Sequence, residues 1–444
     1  MLSNLQFQES EFGLIPIHWE LPKLGNILYI KGRIGWKNLR KSDYTKEGYA
    51  IFTGKMFIGD KVDWMEAERI PKDRYDESPE IILKKNDILL TKDGTIGKVA
   101  FIYELKEPAT IASHIFLIRS ETDQLLQRYL FYFFISPYFQ QLVETRIEGS
   151  VVPALYQRDI VDLRMPLPPI KEQNWIVKVL DKITRKIELN HQMNDTLEQL
   201  AQAIFKSWLV DFEPFRDPEH EWYVGEFEYN AELAKEIPKG WEVNTIGEII
   251  DFNKRRSLAK KTKTIKVGMA DIQEWKSQIE NYSIEEFKGS GSKFENGDVL
   301  FARITPCLEN GKTGIVNFLA DDQIGFGSTE FIVLSPKEEI NTAFIYSLTR
   351  EENFRNNAIN LMTGSSGRQR VDHKALSQWL FPLPNNIVVI QQYNKITKPF
   401  LQKMKLNNDQ NKNLKALRDL LLPQLISGKL RIPDPEKFLE VIDT

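Results

Sequence analysis

The sequence predicts an α+β protein in which two pseudo-repeated α/β domains are separated by two long helices that form an antiparallel coiled coil. The first observation behind this prediction is an internal repeat, because Asn-Asp-Ile-Leu-Leu at 86–90 recurs as Gly-Asp-Val-Leu-Phe at 297–301. The second is that Pro-Leu-Pro, at 166–168 and again at 382–384, precedes a long stretch with helical periodicity each time. Two similar halves in one chain indicate an internal pseudo-dimer, which suits a target that itself has two halves.

The composition describes a folded protein with room for two or three domains, because the chain has 444 residues, of which 42% are hydrophobic and 11% aromatic. Its one cysteine, Cys307, cannot form an internal disulfide, and its first residues lack the basic and apolar blocks of a signal peptide. We therefore expect a cytoplasmic protein. The net charge of −3 argues against a protein that binds nucleic acid tightly on its own.

The α/β domains are predicted from short apolar runs bounded by Gly, Pro and Asp turns. In the first half, runs at 87–90 and 115–118 indicate strands, and the aromatic stretch 129–139 indicates a buried core helix rather than a base-stacking surface. The second half repeats this plan with a strand at 330–334 and a helix at 344–354. The expected boundaries are 1–18 for an N-terminal segment that packs with the helices, 19–169 for the first α/β domain, 170–212 for the first helix, 213–240 for a linker, 241–386 for the second α/β domain, 387–430 for the second helix and 431–444 for the tail.

The long helices are predicted from positions spaced alternately four and three apart, which is the pattern of a coiled-coil seam. In the first helix these are Ile176, Leu180, Ile183, Ile187, Asn190, Asn194, Leu197, Ala201, Ile204 and Trp208, and adding 217 to each number gives Tyr393, Thr397, Phe400, Met404, Asn407, Asn411, Leu414, Arg418, Leu421 and Leu425. The Asn residues occupy the same places in both helices, so we interpret them as register-setting pairs; the alternative is a locally hydrated seam. Asp-Pro-Glu at 217–219 recurs at 434–436, which an antiparallel helix pair explains because it brings the chain termini together.

Each half has one stretch near its start that is rich in basic residues and free of acidic ones. These stretches are residues 31–41 and residues 254–266. Either run alone is typical of solvated loop charge. Their matched positions also favour a role in contacting DNA phosphates. The candidate phosphate-contacting residues are Lys31, Arg33, Lys37, Arg40, Lys254, Arg255 and Arg256.

Polar turns that contain glycine are the second kind of candidate DNA-binding site. Glycine lets the backbone approach DNA closely, Ser and Thr bind phosphate, and Arg, Lys and Gln contact base edges in the major groove. For each turn taken alone, an ordinary hairpin or Ω-loop is the alternative. The candidate residues are Lys92, Thr95, Lys98, Ser150, Gln157 and Arg158 in the first half, and Arg303, Thr305, Lys312, Thr313, Ser365, Arg368, Gln369 and Arg370 in the second.

The sequence holds no recognisable catalytic or metal-binding motif. It has no His-Glu-x-x-His pair, no Cys/His cluster and no glycine-rich nucleotide-binding turn. It also lacks the Asn-Pro-Pro-aromatic and Asp-Pro-Pro-aromatic tetrapeptides that an amino-methyltransferase would need. We therefore predict a non-catalytic protein with no metal or cofactor of its own.

With these features, the chain resembles the specificity subunit of type I restriction-modification systems over nearly its whole length. The most specific matches are Pro-Leu-Pro-Pro-Ile-Lys-Glu-Gln at 166–173, the helix end at 200–212, the turn at 363–371 and the run at 420–430. The second half departs from the family pattern at 385–391, where two extra residues precede Gln391 and the Pro-Glu-Gln form is lost.

The resemblance implies that the two α/β domains are target recognition domains, each contacting one half of a bipartite site in double-stranded DNA. It also implies that the helices form a spacer that docks two methyltransferase subunits, which would bring S-adenosylmethionine and methylate adenine. Restriction subunits would join them for cleavage. A stand-alone pseudo-symmetric DNA-binding regulator is the alternative, followed by a helical scaffold, and a gel-shift assay with and without modification subunits separates these hypotheses.

Overall fold

A computed structural model describes residues 6–34, 39–147, 154–337, 339–365 and 367–431 of the chain. The chain divides into two compact units. Unit 1 contains the described residues up to Arg185 and those from Leu414 onward, and unit 2 contains those from Lys186 to Asn413. Each unit therefore holds one α/β domain together with part of each long helix.

Unit 1 begins with a hairpin and continues with an α/β domain that leads into a long helix. Its strands are β1 (Phe7–Ser10), β2 (Gly13–Pro16), β3 (Leu28–Lys31), β4 (Tyr49–Phe52), β5 (Phe57–Ile58), β6 (Lys61–Val62), β7 (Glu68–Ile70), β8 (Ile88–Thr91), β9 (Val99–Phe101), β10 (Ala109–Ile111) and β11 (Ile115–Ser120). Its helices are α1 (Lys72–Asp76), α2 (Gln127–Ile135), α3 (Pro137–Ile147), α4 (Gln157–Val161) and the first part of α5 (Ile170–Phe205).

Two sheets and a helical layer build the α/β domain of unit 1. The larger sheet has the order β3-β11-β8-β9 with antiparallel neighbours, and the smaller has the order β10-β4-β7, in which β4 and β10 are parallel. Because side chains alternate across a strand, Phe116 and Ile118 of β11 lie in the core that contains α2. Ile115 and Leu117 lie instead in the core of the smaller sheet. The larger sheet is therefore covered on both faces.

Unit 2 repeats this order of elements. Its strands are β12 (Phe227–Asn230), β13 (Lys235–Pro238), β14 (Trp241–Thr245), β15 (Asp251–Phe252), β16 (Lys263–Val267), β17 (Ser283–Glu286), β18 (Ser292–Phe294), β19 (Val299–Ala302), β20 (Thr313–Ile315), β21 (Gly325–Gly327), β22 (Phe331–Ser335), β23 (Met362–Thr363), β24 (Arg370–Val371) and β25 (Leu380–Pro384). Its helices are the last part of α5, α6 (Glu213–Arg216), α7 (Ile246–Ile249), α8 (Thr342–Arg350), α9 (Glu352–Asn360), α10 (His373–Leu376) and the first part of α11 (Ile387–Ile426). A π-helical turn at Lys206–Val210 follows α5.

The sheets of unit 2 follow the plan of those in unit 1, with one additional strand, β18. One has the order β15-β22-β19-β20, and the other has the order β17-β16-β21-β18, in which β16 and β21 are parallel. Ile332 and Leu334 of β22 lie in a core with residues of α8, whereas Val333 lies in the core of the second sheet. The predicted α+β class with two repeated α/β domains is confirmed.

The aromatic stretch of the first half is part of the core, as the sequence predicts, but residues 129–139 belong to two helices, α2 and α3, rather than to one. Every residue from Tyr129 to Phe134 in α2 is at most 1% exposed. The hydroxyl of Tyr129 donates to a main-chain carbonyl oxygen at 2.9 Å, and that of Tyr132 donates to Asp181 of α5 at 2.6 Å. Both buried hydroxyls therefore have acceptors, which offsets the cost of burying them. These rings are therefore not available for stacking on bases.

The long helices contact each other within each unit. In unit 2, the ring centroids of Trp208 and Tyr393 lie 6.3 Å apart, and Asn190 is hydrogen-bonded to Asn411. Residue numbers therefore rise along α5 as they fall along α11, which makes this helix pair antiparallel. In unit 1, Ile176 of α5 belongs to the same hydrophobic core as the last turns of α11. These contacts agree with the predicted antiparallel coiled coil.

Two Asn–Asn hydrogen bonds lie in the seam of unit 2. Asn190 Nδ2 donates to Asn411 Oδ1, and Asn407 Nδ2 donates to Asn194 Oδ1, both at 2.8 Å. All four side chains are at most 3% exposed. The two bonds are counterparts in the internal repeat. The donors, Asn190 and Asn407, are 217 residues apart, and so are the acceptors, Asn194 and Asn411. These two hydrogen bonds link the Asn side chains across the helix pair, which is what a register-setting role requires.

We expect Asn194→Leu to lower the free energy of unfolding by about 1–3 kcal/mol, because it leaves the buried Nδ2 of Asn407 without its acceptor. Replacing all four Asn residues by Leu should recover most of this loss, because no unpaired polar group then remains. Urea denaturation of the full chain measures both values, with Gln192→Leu at an exposed position of α5 as the control. A quadruple variant as unstable as the single one would contradict this account.

Candidate nucleic-acid interface

Two of the predicted loops of the second half meet in unit 2, at the end of β19. Arg303 directly follows β19, and its N–H donates to the carbonyl oxygen of Glu330 at 3.0 Å. Its own carbonyl oxygen accepts from the N–H of Val371 at 2.9 Å, and Ile304 forms an antiparallel bridge with Arg370. Main-chain contacts thus join three segments that are distant in sequence. We call the set of Arg303, Ile304, Glu330 and Arg370 the second junction.

Unit 1 contains the same arrangement at the end of β8. The N–H of Lys92 donates to the carbonyl oxygen of His114 at 3.0 Å. The carbonyl oxygen of Lys92 accepts from the N–H of Leu155 at 2.7 Å, and Asp93 forms an antiparallel bridge with Ala154. We call the set of Lys92, Asp93, His114 and Ala154 the first junction. The backbone geometry therefore recurs in the two units, whereas the side chains differ.

The second junction holds a bidentate ion pair. Arg370 Nε lies 2.9 Å from Glu330 Oε2, and Arg370 Nη2 lies 2.7 Å from Glu330 Oε1. Hydrogen bonding to Arg370 lowers the pKa of the Glu330 carboxyl, and the nearby charge of Arg303 contributes in the same direction. The Nε of Arg303 is buried and has no hydrogen-bond partner among the described residues. The junction thus carries two guanidinium groups and one carboxylate, which gives it a net positive charge.

The first junction carries a different set of charges. Asp93 Oδ1 lies 2.5 Å from His114 Nδ1, and the His114 side chain is 64% exposed. The ammonium of Lys92 lies 5.0 Å from the ring centroid of Phe116, and burial lowers its pKa. A partly desolvated ammonium interacts more strongly with an approaching anion than a fully hydrated one does. This junction can therefore contact an anionic ligand through Lys92 while presenting an imidazole beside it.

The turn after the first junction presents two predicted residues to solvent. Thr95 and Lys98 are both exposed. Thr91 closes the turn, because its hydroxyl accepts from Lys98 N at 2.9 Å and donates to Thr95 O at 2.5 Å. Gly94 and Gly97 have φ values of +67° and +86°, which glycine adopts without strain. The turn is therefore held in one shape with its polar side chains outward.

Helix α4 places two more predicted residues beside the first junction, because it begins two residues after Leu155. Gln157 and Arg158 are both exposed there. The guanidinium of Arg158 lies 4.8 Å from the ring centroid of Tyr156, which is itself 53% exposed. Tyr156 is not among the residues predicted from the sequence. An exposed aromatic ring beside an arginine is a surface on which a nucleic-acid base can stack.

The loops of the second junction bring the other predicted residues of unit 2 together. Thr305 donates its N–H to the carbonyl oxygen of Gln369 at 3.1 Å, so the two loops run side by side. Ser365 and Arg368 are exposed at the end of this pair of loops. Lys312 is half-buried, because its ammonium donates to a main-chain carbonyl oxygen at 3.1 Å. The loops that the sequence singled out are thus neighbours in space.

The two basic runs place part of their charge on the surface. The exposed members are Lys31, Arg40, Lys254 and Arg255. Exposure permits contact with DNA phosphates, and that contact stays a prediction for these residues. Two further candidates, Lys37 and Ser150, lie outside the described residues.

The predicted DNA-binding role is wrong for three residues, because their side chains are buried. Arg33 is 3% exposed, and its guanidinium donates to Ser78 Oγ at 3.4 Å and to a main-chain carbonyl oxygen. The side chain of Arg256 is also 3% exposed, and it lies 2.9 Å from the buried carboxylate of Asp298. Thr313 is fully buried in β20. A buried side chain cannot reach a phosphate or a base edge, so these residues belong to the framework of their domains.

The junctions also contain two residues that the sequence analysis did not select. His114 directly precedes β11, and Glu330 directly precedes β22, so they hold the same place in the repeat. An alignment of β11 with β22 would have identified His114 and Glu330 as counterparts.

A metal centre, a membrane-spanning helix and a reactive thiol are the other features that the described parts of the chain could hold. Among those residues, no group of three or more His, Cys, Asp and Glu side chains is placed to hold a metal ion. No described helix combines the length and the apolar character needed to cross a membrane. Cys307 is half-buried, and burial raises the pKa of its thiol.

Comparison with known proteins gives consistent similarities. A family model described as the type I restriction modification DNA specificity domain matches the chain twice, at residues 16–199 and 238–416. The specificity subunit of the type I restriction enzyme MjaIX from Methanocaldococcus jannaschii is 25% identical over 444 residues, covering 97% of this chain and 97% of that protein. The HindI specificity subunit from Haemophilus influenzae is 22% identical over 406 residues, and the alignment covers 78% of this chain and 87% of that protein. The crystal structure of a type I restriction-modification S subunit from M. genitalium is similar in fold, with a TM-score of 0.51 at 18% identity over 92% of this chain and 96% of that one.

Proposed function

The chain belongs to the type I restriction-modification DNA specificity family, and from this premise we propose that each junction reads one half of a bipartite DNA target. As a member of this family, it is a specificity subunit and catalyses neither methylation nor cleavage itself. The family model matches once in each half of the chain, which fits a target with two half-sites.

The main support for this proposal is that the two junctions share one arrangement of main-chain hydrogen bonds but carry different side chains. Sequence-specific recognition needs side chains held rigidly against base edges, and two different half-sites need two different sets. In each junction, main-chain hydrogen bonds fix the residue after the strand on both its N–H and its carbonyl side. The second junction presents Arg303 and Arg370 on this frame, and the first presents Lys92 and His114. The two junctions are therefore suited to different half-sites.

Exposed polar and basic residues around the junctions would contact phosphate and sugar. Such contacts fix the position of a protein on the duplex but carry no sequence information. The exposed residues assigned to this role are Lys31, Arg40, Thr95, Lys98, Gln157, Arg158, Lys254, Arg255, Ser365 and Arg368. Thr305, Lys312 and Gln369 would support the loops of the second junction from inside.

We also infer that the chain acts on double-stranded DNA together with two methyltransferase subunits, joined by restriction subunits in the full complex. The relatives are named as specificity subunits of type I restriction enzymes. The net charge of −3 supports partners that supply part of the phosphate contact. S-adenosylmethionine would be bound by the methyltransferase subunits. Within this arrangement, 19–169 and 241–386 would be the target recognition domains, and α5 and α11 would be the spacer.

Arg303→Ala and Lys92→Ala test the proposal as a reciprocal pair. We expect Arg303→Ala to relax the sequence preference in one half-site and Lys92→Ala to relax it in the other, because each residue lies in a separate junction. The lost contact should weaken discrimination by about 1–3 kcal/mol at the affected base pair. Mapping methylated adenines in cells that carry each variant with the modification subunit measures both half-sites at once.

The two variants control for each other, and Lys239→Ala, at an exposed position of unit 2 far from the junction in sequence, controls for a general loss of charge. Relaxation of both half-sites by one variant would refute recognition by separate junctions. Parental half-sites in both variants would refute the assignment of the junctions to DNA.

A further inference from the structure

We propose that Glu330 is a positioning residue, which orients the guanidinium of Arg370 to read one guanine of the DNA target. This inference rests on the proposed function and deepens it, because it names the residue pair responsible for one base pair. Glu330 and its part in recognition could not be deduced from the two predicted loops alone.

The geometry of the pair leaves one edge of the Arg370 guanidinium available. The carboxylate of Glu330 occupies the edge formed by Nε and Nη2, with contacts of 2.7–3.0 Å. On the other edge, Nη1 makes a longer contact of 3.3 Å with the carbonyl oxygen of Arg368. The Arg370 side chain is 41% exposed, and that of Glu330 is 24% exposed. Because each Nη nitrogen carries two N–H groups, the edge formed by Nη1 and Nη2 can receive a ligand while Glu330 holds the adjacent edge formed by Nε and Nη2.

The backbone beneath both residues is fixed. The carbonyl oxygen of Glu330 accepts from Arg303 N at 3.0 Å, and its N–H donates to Ser328 Oγ at 3.1 Å. Arg370 pairs with Thr363 between β24 and β23, and it also bridges Ile304. An arginine that is held in one orientation before binding has less side-chain freedom to lose when it meets DNA. The pair is therefore preorganised on a rigid frame.

The chemistry of the free edge points to guanine. Two parallel N–H groups of an arginine match the O6 and N7 acceptors that guanine presents in the major groove. The carboxylate also neutralises most of the charge of Arg370, which makes this residue a poor anchor for phosphate. Arg368, which is exposed in the same loop and carries no acidic partner in the described structure, is the better phosphate contact. The two neighbouring arginines thus divide base recognition and phosphate contact between them.

The test measures binding of the chain, assembled with its modification subunit, to duplexes that carry each single base-pair change in the methylated target. We expect Arg370→Ala to lower discrimination on the order of 10-fold at one guanine. Its plot of log affinity against log salt should keep the parental slope. Arg368→Ala should instead lower the magnitude of this slope by about 0.9 and leave the base preferences unchanged.

Glu330→Gln should lose preference at the same guanine as Arg370→Ala. Combined with Arg370→Ala, it should add no further loss, because a positioning residue acts only through the residue that it positions. Glu330→Asp keeps the charge but shortens the reach, so it should lose the same preference even if the Gln variant does not fold. Glu226→Gln, which removes an exposed carboxylate paired with Lys239 in the same unit, is the matched control.

Parental discrimination in folded Glu330 variants would overturn the inference, as would a reduced salt slope with uniformly weaker binding in Arg370→Ala. Either result could occur while Lys92→Ala and Arg303→Ala still relax separate half-sites. The proposed function would then stand and only the role of the Glu330–Arg370 pair would fall. If neither of those alanine variants changes a half-site, the proposed function itself fails.

Discussion

Arg256→Met is expected to lower the free energy of unfolding of unit 2 by about 3–5 kcal/mol, because it leaves a buried carboxylate without its counter-ion. Asp298 is 1% exposed, and Arg256 Nη2 lies 2.9 Å from its Oδ1. The same nitrogen also lies 3.0 Å from Glu295 Oε1 and 3.1 Å from Ser335 Oγ. Methionine fills a similar volume, so the loss reports the missing charge rather than a cavity. Thermal and urea unfolding of the full chain measure it.

The pH dependence of this variant follows from the same carboxylate. Burial raises the pKa of Asp298 to about 6, and Ser335 and Arg256 oppose that rise. Removing Arg256 should raise the folded-state pKa further above the unfolded value of about 3.9. A carboxyl whose pKa is higher in the folded state binds protons on folding, so the fold gains stability as the pH falls. The defect of the variant should therefore be smaller near pH 5 than near pH 8.

Arg255→Met is the matched control, because Arg255 is the exposed neighbour in the sequence. A surface substitution of this kind usually changes the stability by less than about 0.5 kcal/mol. An Arg256→Met chain with parental stability but weaker DNA binding would show that the side chain acts at the surface after all.

The second large effect is dependence on partners. The purified chain, incubated with S-adenosylmethionine and target DNA, should transfer no methyl group, because it lacks the tetrapeptide that an amino-methyltransferase would need. Adding the modification subunit should produce full methylation, since that subunit would supply the catalytic site and this chain the specificity. Incorporation of radioactive methyl groups into DNA measures the transfer.

The modification subunit alone is the control for this experiment, and it should methylate the target far less than the assembled complex does. Methyl transfer by the isolated chain would refute its role as a non-catalytic subunit. Methylation of the same target by the modification subunit alone would show that recognition lies elsewhere.

Features that depend on local periodicity could be predicted from the sequence. The spacing of Asn190 and Asn194 identifies them as seam positions, because residues four apart lie on one face of a helix. The offset of 217 then identifies Asn407 and Asn411 as their counterparts. The donor and acceptor pairing needed the structure, since it depends on how two distant segments face each other.

Features that depend on distant partners could not be predicted. The repeat does reveal Asp87 and Asp298 as counterparts, and both carboxylates are buried against an arginine. The arginine is not repeated, because it is Arg119 of β11 in unit 1 and Arg256, which precedes β16, in unit 2. The run 254–266 looks exposed in the sequence. The side chain of Arg256 within it is nevertheless buried, because it pairs with Asp298, which lies 42 residues later. His114 and Glu330 escaped notice for a similar reason, since each junction joins three separate segments.

The main-chain closure of the junctions bears on how such a protein changes over generations. Hydrogen bonds between backbone groups do not depend on which side chain each residue carries, so a replacement at residue 114 or 330 leaves these main-chain bonds possible. Under the proposed function, a single codon change there would alter one DNA word and leave the other intact. Descendants could thus diverge from their ancestors in small heritable steps, each of which keeps a folded and assembled protein.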